Sequence, residues 1–438
     1  MRKALKSIFV VWAGMLLGAG LSFLTQAFLA RALSLPEYGL FAAINNFILV
    51  VTPLAGLGLG NYWLKKFGQH GWGGITWVEP SLKLLLWSLP LGLFLVLLIG
   101  RAMWPDSTSQ MLLLLLLPLM VMQAFSSAAS ARFQLEERYT ALAIWKLVPV
   151  LAKFAVAGFT LAFALGLKGL AIGLCFSMTL IGFSGFYYAY SLVSGQISLA
   201  GHGNRFEKQG EKVSEYSTTK SIFREVTPFA LGSFFGLIYL QSDIFILSFL
   251  VGNEDAGLYN AAFAVMAAIY FLPGAIFNQY LLPKYHRWSG RDEKMLLDVF
   301  RFGNAAMLIT GVCIMIGVVL LSPYVVPWIF GQKFQETSSI LIWLSLCIPL
   351  RFISSSVEGV LVTKDNMKRK VFYQGVIALL NIAFNFLLIP IYQAYGAVMS
   401  TVASEFLLLV MYLFGAQKYV FHTSVIRGWH LNSKVFNR

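Results

Sequence analysis

Apolar runs of roughly twenty residues recur along the whole chain, separated by short polar or Gly- and Pro-containing stretches. As a helix, each run is long enough to cross a bilayer core of about 30 Å. The pattern predicts about twelve membrane helices, over 8–30, 39–60, 84–104, 110–131, 141–165, 169–191, 226–250, 257–281, 302–322, 337–361, 372–391 and 396–416. The runs lack the in–out alternation of a barrel strand, which leaves helices as the spanning element. The fold class read from the pattern is an all-α polytopic membrane protein.

A duplicated phrase divides this array. LPEYGLFAAINNF (35–47) aligns with NEDAGLYNAAFAV (253–265) on Gly39 and Gly257, an offset of 218 residues. GLKGLAIGL (166–174) echoes YQAYGAVMSTV (392–402) on Gly169 and Gly396, an offset of 227. Two offsets this close predict tandem six-helix lobes related by an internal repeat. The lobes are placed at 1–192 and 226–416, with a cytoplasmic linker at 193–225 and a basic, aromatic tail at 417–438. That tail is read as an anchor in the headgroup region. In a membrane protein such a duplication points to a transporter whose site lies between the halves.

Composition strengthens the membrane reading. The chain is 58% hydrophobic and 12% charged, with mean hydropathy +0.73, against about 25% charged in soluble proteins. The net charge of +14 first suggests nucleic acid, but position argues against that partner. With the N-terminus inside, 27 of the 33 Lys and Arg residues fall on the cytoplasmic side and four outside: Arg31, Arg101, Lys168 and Lys333. This is the positive-inside rule, and it predicts that both termini are cytoplasmic. The first helix imitates a signal peptide, yet its apolar stretch exceeds a cleavable core of 7–15 residues and is read as retained. Three cysteines in apolar segments and five scattered histidines suggest neither a disulfide framework nor a metal site. Phosphate-loop, nucleophile-elbow and dinucleotide motifs are missing, so the sequence predicts no enzyme activity and no cofactor.

Charges inside the membrane cost about 2.5–3.5 kcal/mol each on insertion scales, and each calls for an explanation. Asp243 lies deep in the seventh run, where the repeat places Thr25 and Gln26 at the matching depth; it reads either as lining a wet cavity or as half of a structural pair. Glu405, in the middle of the twelfth run, is also a candidate proton carrier. Lys153 lies in the fifth run. Arg351 lies in the tenth, two turns from Glu358, where an ion pair through a third group is as good a reading as a pathway. Arg31 closes the first run and Arg224 opens the seventh, matched by Lys6 in the repeat. Cations at those mouths suit an anionic headgroup and suit topology equally. Asn45, Asn46, Asn278, Gln279, Asn381 and Asn385 add neutral hydrogen-bonding groups, as interhelical glue or as sugar contacts.

These residues also carry a resemblance. Gln26, Arg31 through Gly39, Arg224, Pro228, Asp243, Gly252, Gly257 to Ala262, Pro283, Phe330 to Phe334, and Asn381 through Ala397 look like the polysaccharide (O-antigen-type) repeat-unit flippases. That family belongs to the multidrug/oligosaccharidyl-lipid/polysaccharide (MOP) exporter superfamily. The resemblance implies a MATE-like fold in the bacterial inner membrane and movement of an undecaprenyl-pyrophosphate-linked oligosaccharide between leaflets by alternating access. It also implies membrane lipids, a polysaccharide polymerase and a chain-length regulator as partners. A drug/cation antiporter of the same superfamily and a membrane-embedded glycan polymerase or acyltransferase stand as alternatives. The first should gather acidic residues, and the second should show a large outer loop.

Overall fold

A computed structural model describes residues 2–195, 197–199, 219–274, 276–277, 281–361, 363, 367–425 and 428–429. Among these residues every regular element is helical. Ten helical stretches are long and apolar enough to cross a membrane. One of them, Leu35–Met103, covers predicted run 39–60 and all but the last residue of 84–104. A bent pair, Thr337–Leu344 with Cys347–Leu361 at 43°, accounts for 337–361. Each of the twelve predicted runs thus overlaps one of these stretches, although 8–30, 84–104, 141–165 and 257–281 run past their ends. Large apolar side chains face outward along them, Trp87 at 81% and Phe183 at 70% exposure, as a lipid-facing surface requires.

The chain separates into two compact units, Met1–Leu33 with Ala43–Leu237 and Ser34–Ala42 with Ile238–Arg438. The division falls inside the helix Thr219–Leu250, downstream of the polar stretch 193–225 where the sequence places the boundary. Most of that predicted linker lies outside the described residues.

In the first unit α1 (Arg2–Ala32) packs along α7 (Tyr139–Ala162), while α6 (Pro118–Leu135) and α7 both pack on α8 (Gly166–Val193). The unit also holds most of α2 (Leu35–Gly56), α3 (Leu59–His70), α4 (Val78–Met103) and α5 (Ser107–Leu116). In the second unit α14 (Cys347–Leu361) and α15 (Met367–Tyr392) both pack on α16 (Ala394–Ala416). Fourth on sixth and fifth on sixth thus occurs in both units. The second unit is completed by α9 (Thr219–Leu250, from Ile238), α10 (Asn253–Gly274), α11 (Leu282–Arg291), α12 (Glu293–Phe330) and α13 (Thr337–Leu344).

The duplicated phrase has a physical origin. Ser34 opens α2 with a reciprocal cap: its backbone N–H donates to Glu37 Oε2 at 2.9 Å, and the Glu37 N–H donates back to Ser34 Oγ at 3.4 Å. The following turn packs on α10 at backbone contact. A Cβ on Gly39 would fall 1.7 Å from the Asn253 carbonyl oxygen, and one on Gly257 would fall 2.8 Å from that of Leu35. Each repeat therefore supplies one glycine to the same crossing, the small-residue approach that membrane helices use. Asn260 Nδ2 donates to Tyr38 Oη at 2.8 Å, and the Tyr38 ring meets Phe334 edge-on at 5.3 Å.

The first part of the tail, Gln417–Phe421, continues α16 as a π-helical turn. Phe421 packs on Phe300 at 4.9 Å between centroids, and Val420 and Val425 are buried. Residues 430–438 lie outside the described set.

Gly39→Ala forces α2 and α10 apart and should cost about 1–3 kcal/mol or more, the range for overpacking. Gly257→Ala should cost less, because its nearest contact is looser. Thermal unfolding of the detergent-purified variants ranks the two.

Candidate functional site

Polar residues on four helices of the second unit meet around Asp243. On α9, Ser242 and Asp243 face inward, with Tyr239 one turn earlier. Helix α15 contributes Asn381 and Asn385, four residues apart and so on one face. Helix α16 contributes Ser400, Thr401, Ser404 and Glu405, while α10 contributes Tyr259. Asp243 is 1% exposed, and its carboxylate accepts three hydrogen bonds from uncharged donors. Asn385 Nδ2 donates to Oδ1 at 2.5 Å, and the Tyr259 and Thr401 hydroxyls reach Oδ2 at 2.8 and 2.6 Å. Tyr259 and Thr401 are themselves 2.8 Å apart.

A second layer holds the donors in place. Asn381 Oδ1 accepts from Asn385 Nδ2 at 3.2 Å and from Ser242 Oγ at 3.0 Å. Asn381 Nδ2 donates to Ser400 and Ser404, each at 3.3 Å, and Ser400 Oγ donates to the Asn381 carbonyl at 3.1 Å. The network orients Asn385 with its amide N–H toward Asp243. Among the described residues no cation pairs with Asp243. A buried carboxylate supported by neutral donors alone is a costly arrangement, and binding a proton or cation would relieve it.

One turn further along α16, Glu405 is equally buried, but its charge is matched. Arg351 Nη1 on α14 lies 3.6 Å from Glu405 Oε1. The guanidinium also stands 5.7 Å from the ring centroids of both Tyr239 and Tyr270, within cation–π range. The sequence suggested a pairing of Arg351 with Glu358 through a third group. The structure corrects this: Glu358 pairs with Lys370 on α15, and Arg351 takes Glu405. Seven residues along a helix align two side chains on one face, but the neighbouring helices α15 and α16 offer closer partners.

The other predicted residues are not gathered at this cluster. Gln26 and Asn45 are half-buried and Asn46 is buried, all on α1 and α2 in the first unit. Thr25, the repeat counterpart of Asp243, donates its hydroxyl to the Leu21 carbonyl of its own helix at 2.7 Å. The depth match is real in sequence, but the Thr25 hydroxyl is tied to its own helix. Lys153 is half-buried on α7 beyond Pro149, and Arg31 and Arg224 are exposed. The Lys6 side chain, Asn278 and Gln279 lie outside the described residues. Next to Arg224, Glu225 forms an ion pair with Lys66 at 2.9 Å, and the Lys66 ammonium lies 4.6 Å from the Trp77 ring.

Sequence reading missed Tyr259, Thr401, Ser242, Ser400 and Ser404 as members of the site. One signal was visible. Ser400, Thr401, Ser404 and Glu405 make a polar stripe at i, i+1, i+4 and i+5 on an otherwise apolar helix. Among the described residues no three His, Cys, Asp or Glu side chains group together.

Arg351→Ala strands a buried glutamate and should destabilise the chain by about 3 kcal/mol or more, whereas Arg351→Met with Glu405→Met should come near neutral. A thermal-unfolding cycle over the two singles and the double measures the coupling.

Comparison with known proteins places this architecture. Residues 4–284 match the signature of a family described as "Polysaccharide biosynthesis protein". A "Putative O-antigen transporter" of Shigella dysenteriae is 25% identical over 198 residues, covering 44% of this chain and 48% of the relative. The capsular polysaccharide biosynthesis protein CapF of Staphylococcus aureus is 26% identical over 203 residues, covering 44% and 49%. The matches thus span about half the length of these curated relatives. Among solved structures, the lipid II flippase MurJ in an inward closed conformation aligns with TM-score 0.65 at 16% identity, over 94% of this chain and 88% of that one. An inward-facing multidrug-resistance MATE transporter of the MOP superfamily aligns with TM-score 0.68 at 14% identity, over 94% and 98%. At such identities the likeness is one of fold, and none of these proteins is described as an enzyme. With the family signature covering well over half of its length, the chain belongs to the polysaccharide biosynthesis protein family and has the fold of MOP-type transporters.

Proposed function

We propose that the protein flips lipid-linked oligosaccharide repeat units, carried on a polyprenyl pyrophosphate, across the bacterial inner membrane for surface polysaccharide assembly, O-antigen among them. The observation that carries this reading is the family signature over residues 4–284, on a multi-pass chain with a MOP-type fold. The distribution of Lys and Arg supports cytoplasmic termini and loading from the inner leaflet. An oligosaccharide head cannot cross hydrocarbon, whereas its lipid tail never leaves it. Alternating access for the head alone meets both constraints.

Part of the drive comes from the membrane potential. Moving an anionic pyrophosphate outward, down an inside-negative potential, is favourable by about 2.3 kcal/mol per charge per 100 mV. Proton counter-transport supplies a further term, and between the two candidate carboxylates the geometry favours Asp243. Glu405 already has Arg351 as counter-charge, whereas Asp243 rests on neutral donors. Gln26, Arg31, Asn45, Asn46, Lys153, Arg224, Asn278, Gln279, Asn381 and Asn385 remain the candidates for contact with the pyrophosphate and the sugars. A polymerase and a chain-length regulator are the partners this function would require.

Deletion of the gene should leave completed lipid-linked repeat units facing the cytoplasm, read by protease- and lectin-based leaflet assays, with loss of surface glycan. Normal surface glycan together with new sensitivity to cationic drugs would establish the antiporter instead. Asp243→Asn should reach normal membrane abundance yet fail to restore surface glycan, while Glu405→Gln should retain partial function. Collapsing the voltage at constant pH gradient in vesicles should slow flipping; an unchanged rate would remove the potential from the mechanism.

A further inference from the structure

A groove of about 740 Å³ opens on the first unit where the end of α4 and the start of α5 meet α8, away from the Asp243 cluster. Its polar rim carries Arg101, in the last turn of α4, and Lys168, in the first turn of α8. By the charge distribution these are two of only four basic residues at the outer end of the helices. Both are exposed, and neither forms an ion pair among the described residues. The nearby carboxylate of Asp106 caps α5, accepting from the Ser109 N–H at 2.9 Å, so it is held at a helix N-terminus that offsets its charge. The N-terminus of α8 adds positive potential beside Lys168.

Below the rim the walls turn apolar. Met111 and Leu115 follow one another at four-residue spacing on α5, and Ile172 lies one turn below Lys168 on α8. Each step descends about 6 Å toward the hydrocarbon. Leu114 and Ile172 are 54% and 50% exposed, so this track is open to lipid. Snorkelling explains one cation at a helix end. It does not explain two unpaired cations facing one groove from different helices above a shared apolar track.

We propose that this groove is a binding site for one anionic phospholipid, its phosphate between Arg101 and Lys168 and an acyl chain along Met111, Leu115 and Ile172. The phosphate matches the paired positive charge, and the polar-to-apolar order of the walls matches an amphiphile standing upright in the outer leaflet. The site is separate from the transport reading, and its test needs no flipping activity.

Native mass spectrometry of the full chain, released from micelles containing phosphatidylglycerol or phosphatidylcholine of matched chains, tests the assignment. The wild type should retain one phosphatidylglycerol adduct, preferred over phosphatidylcholine by at least about tenfold. Arg101→Gln with Lys168→Gln should bring the ratio to parity with unchanged thermal stability. Ile172→Trp, which fills the track and leaves both cations in place, should also lose the adduct. Lys65→Gln with Lys220→Gln removes the same charge elsewhere and should leave the preference intact. Preference surviving the Arg101/Lys168 change, or lost equally in the Lys65/Lys220 control, overturns the proposal. So does displacement of phosphatidylglycerol by equimolar undecaprenyl phosphate, which would make the groove a site for the carrier lipid.

Discussion

A carboxylate enclosed by apolar helices must have its oxygens matched by donors, and Asp243 draws its donors from three other helices. Tyr259 comes from α10, Asn385 from α15 and Thr401 from α16, all at 2.5–2.8 Å. Asn381 and three serines then fix the orientation of Asn385. Because losing any one donor exposes a buried charge, α9, α10, α15 and α16 are held in a single register. The second unit is organised around this requirement as much as around its apolar packing.

The neighbouring carboxylate is handled differently. Glu405 is neutralised by Arg351, whose guanidinium is in turn held against two tyrosine rings. The pair engages one carboxylate oxygen, Oε1 at 3.6 Å, while the buried Oε2 has no hydrogen-bond partner. Among the described residues Asp243 is supported by neutral groups alone. Two buried acids within reach of α16 thus differ in their partners, one facing a guanidinium and the other three neutral donors.

The glycine crossing shows how a repeat can be legible and yet misread. The match between Gly39 and Gly257 was visible as two copies of one phrase, and it suggested that corresponding positions do corresponding work. In the structure the two copies touch each other, and the glycines are required because Asn253 and Leu35 present carbonyl oxygens where side chains would be. The same logic failed at Thr25, whose match to Asp243 is a hydroxyl bonded within its own helix. Duplication preserves position in the fold, while chemistry at a position drifts with its neighbours.

Hydrocarbon thickness and the need to satisfy every backbone amide act along the chain, so the sequence alone determined membrane residence and the helical runs. The cap of α2 and the stripe Ser400, Thr401, Ser404, Glu405 are equally local, although the part the stripe plays in the site emerges only in the structure. Partner choice was not local. Asp243 and Asn385 are 142 residues apart, and Arg351 passed over Glu358 on its own helix for Glu405 on another. Which polar groups meet depends on how helices rotate and cross, and a hydrophobic pattern constrains that only weakly where lipid and protein are equally apolar. Tertiary structure alone decided that Asp243 meets neutral donors from three other helices, and among the described residues no cation.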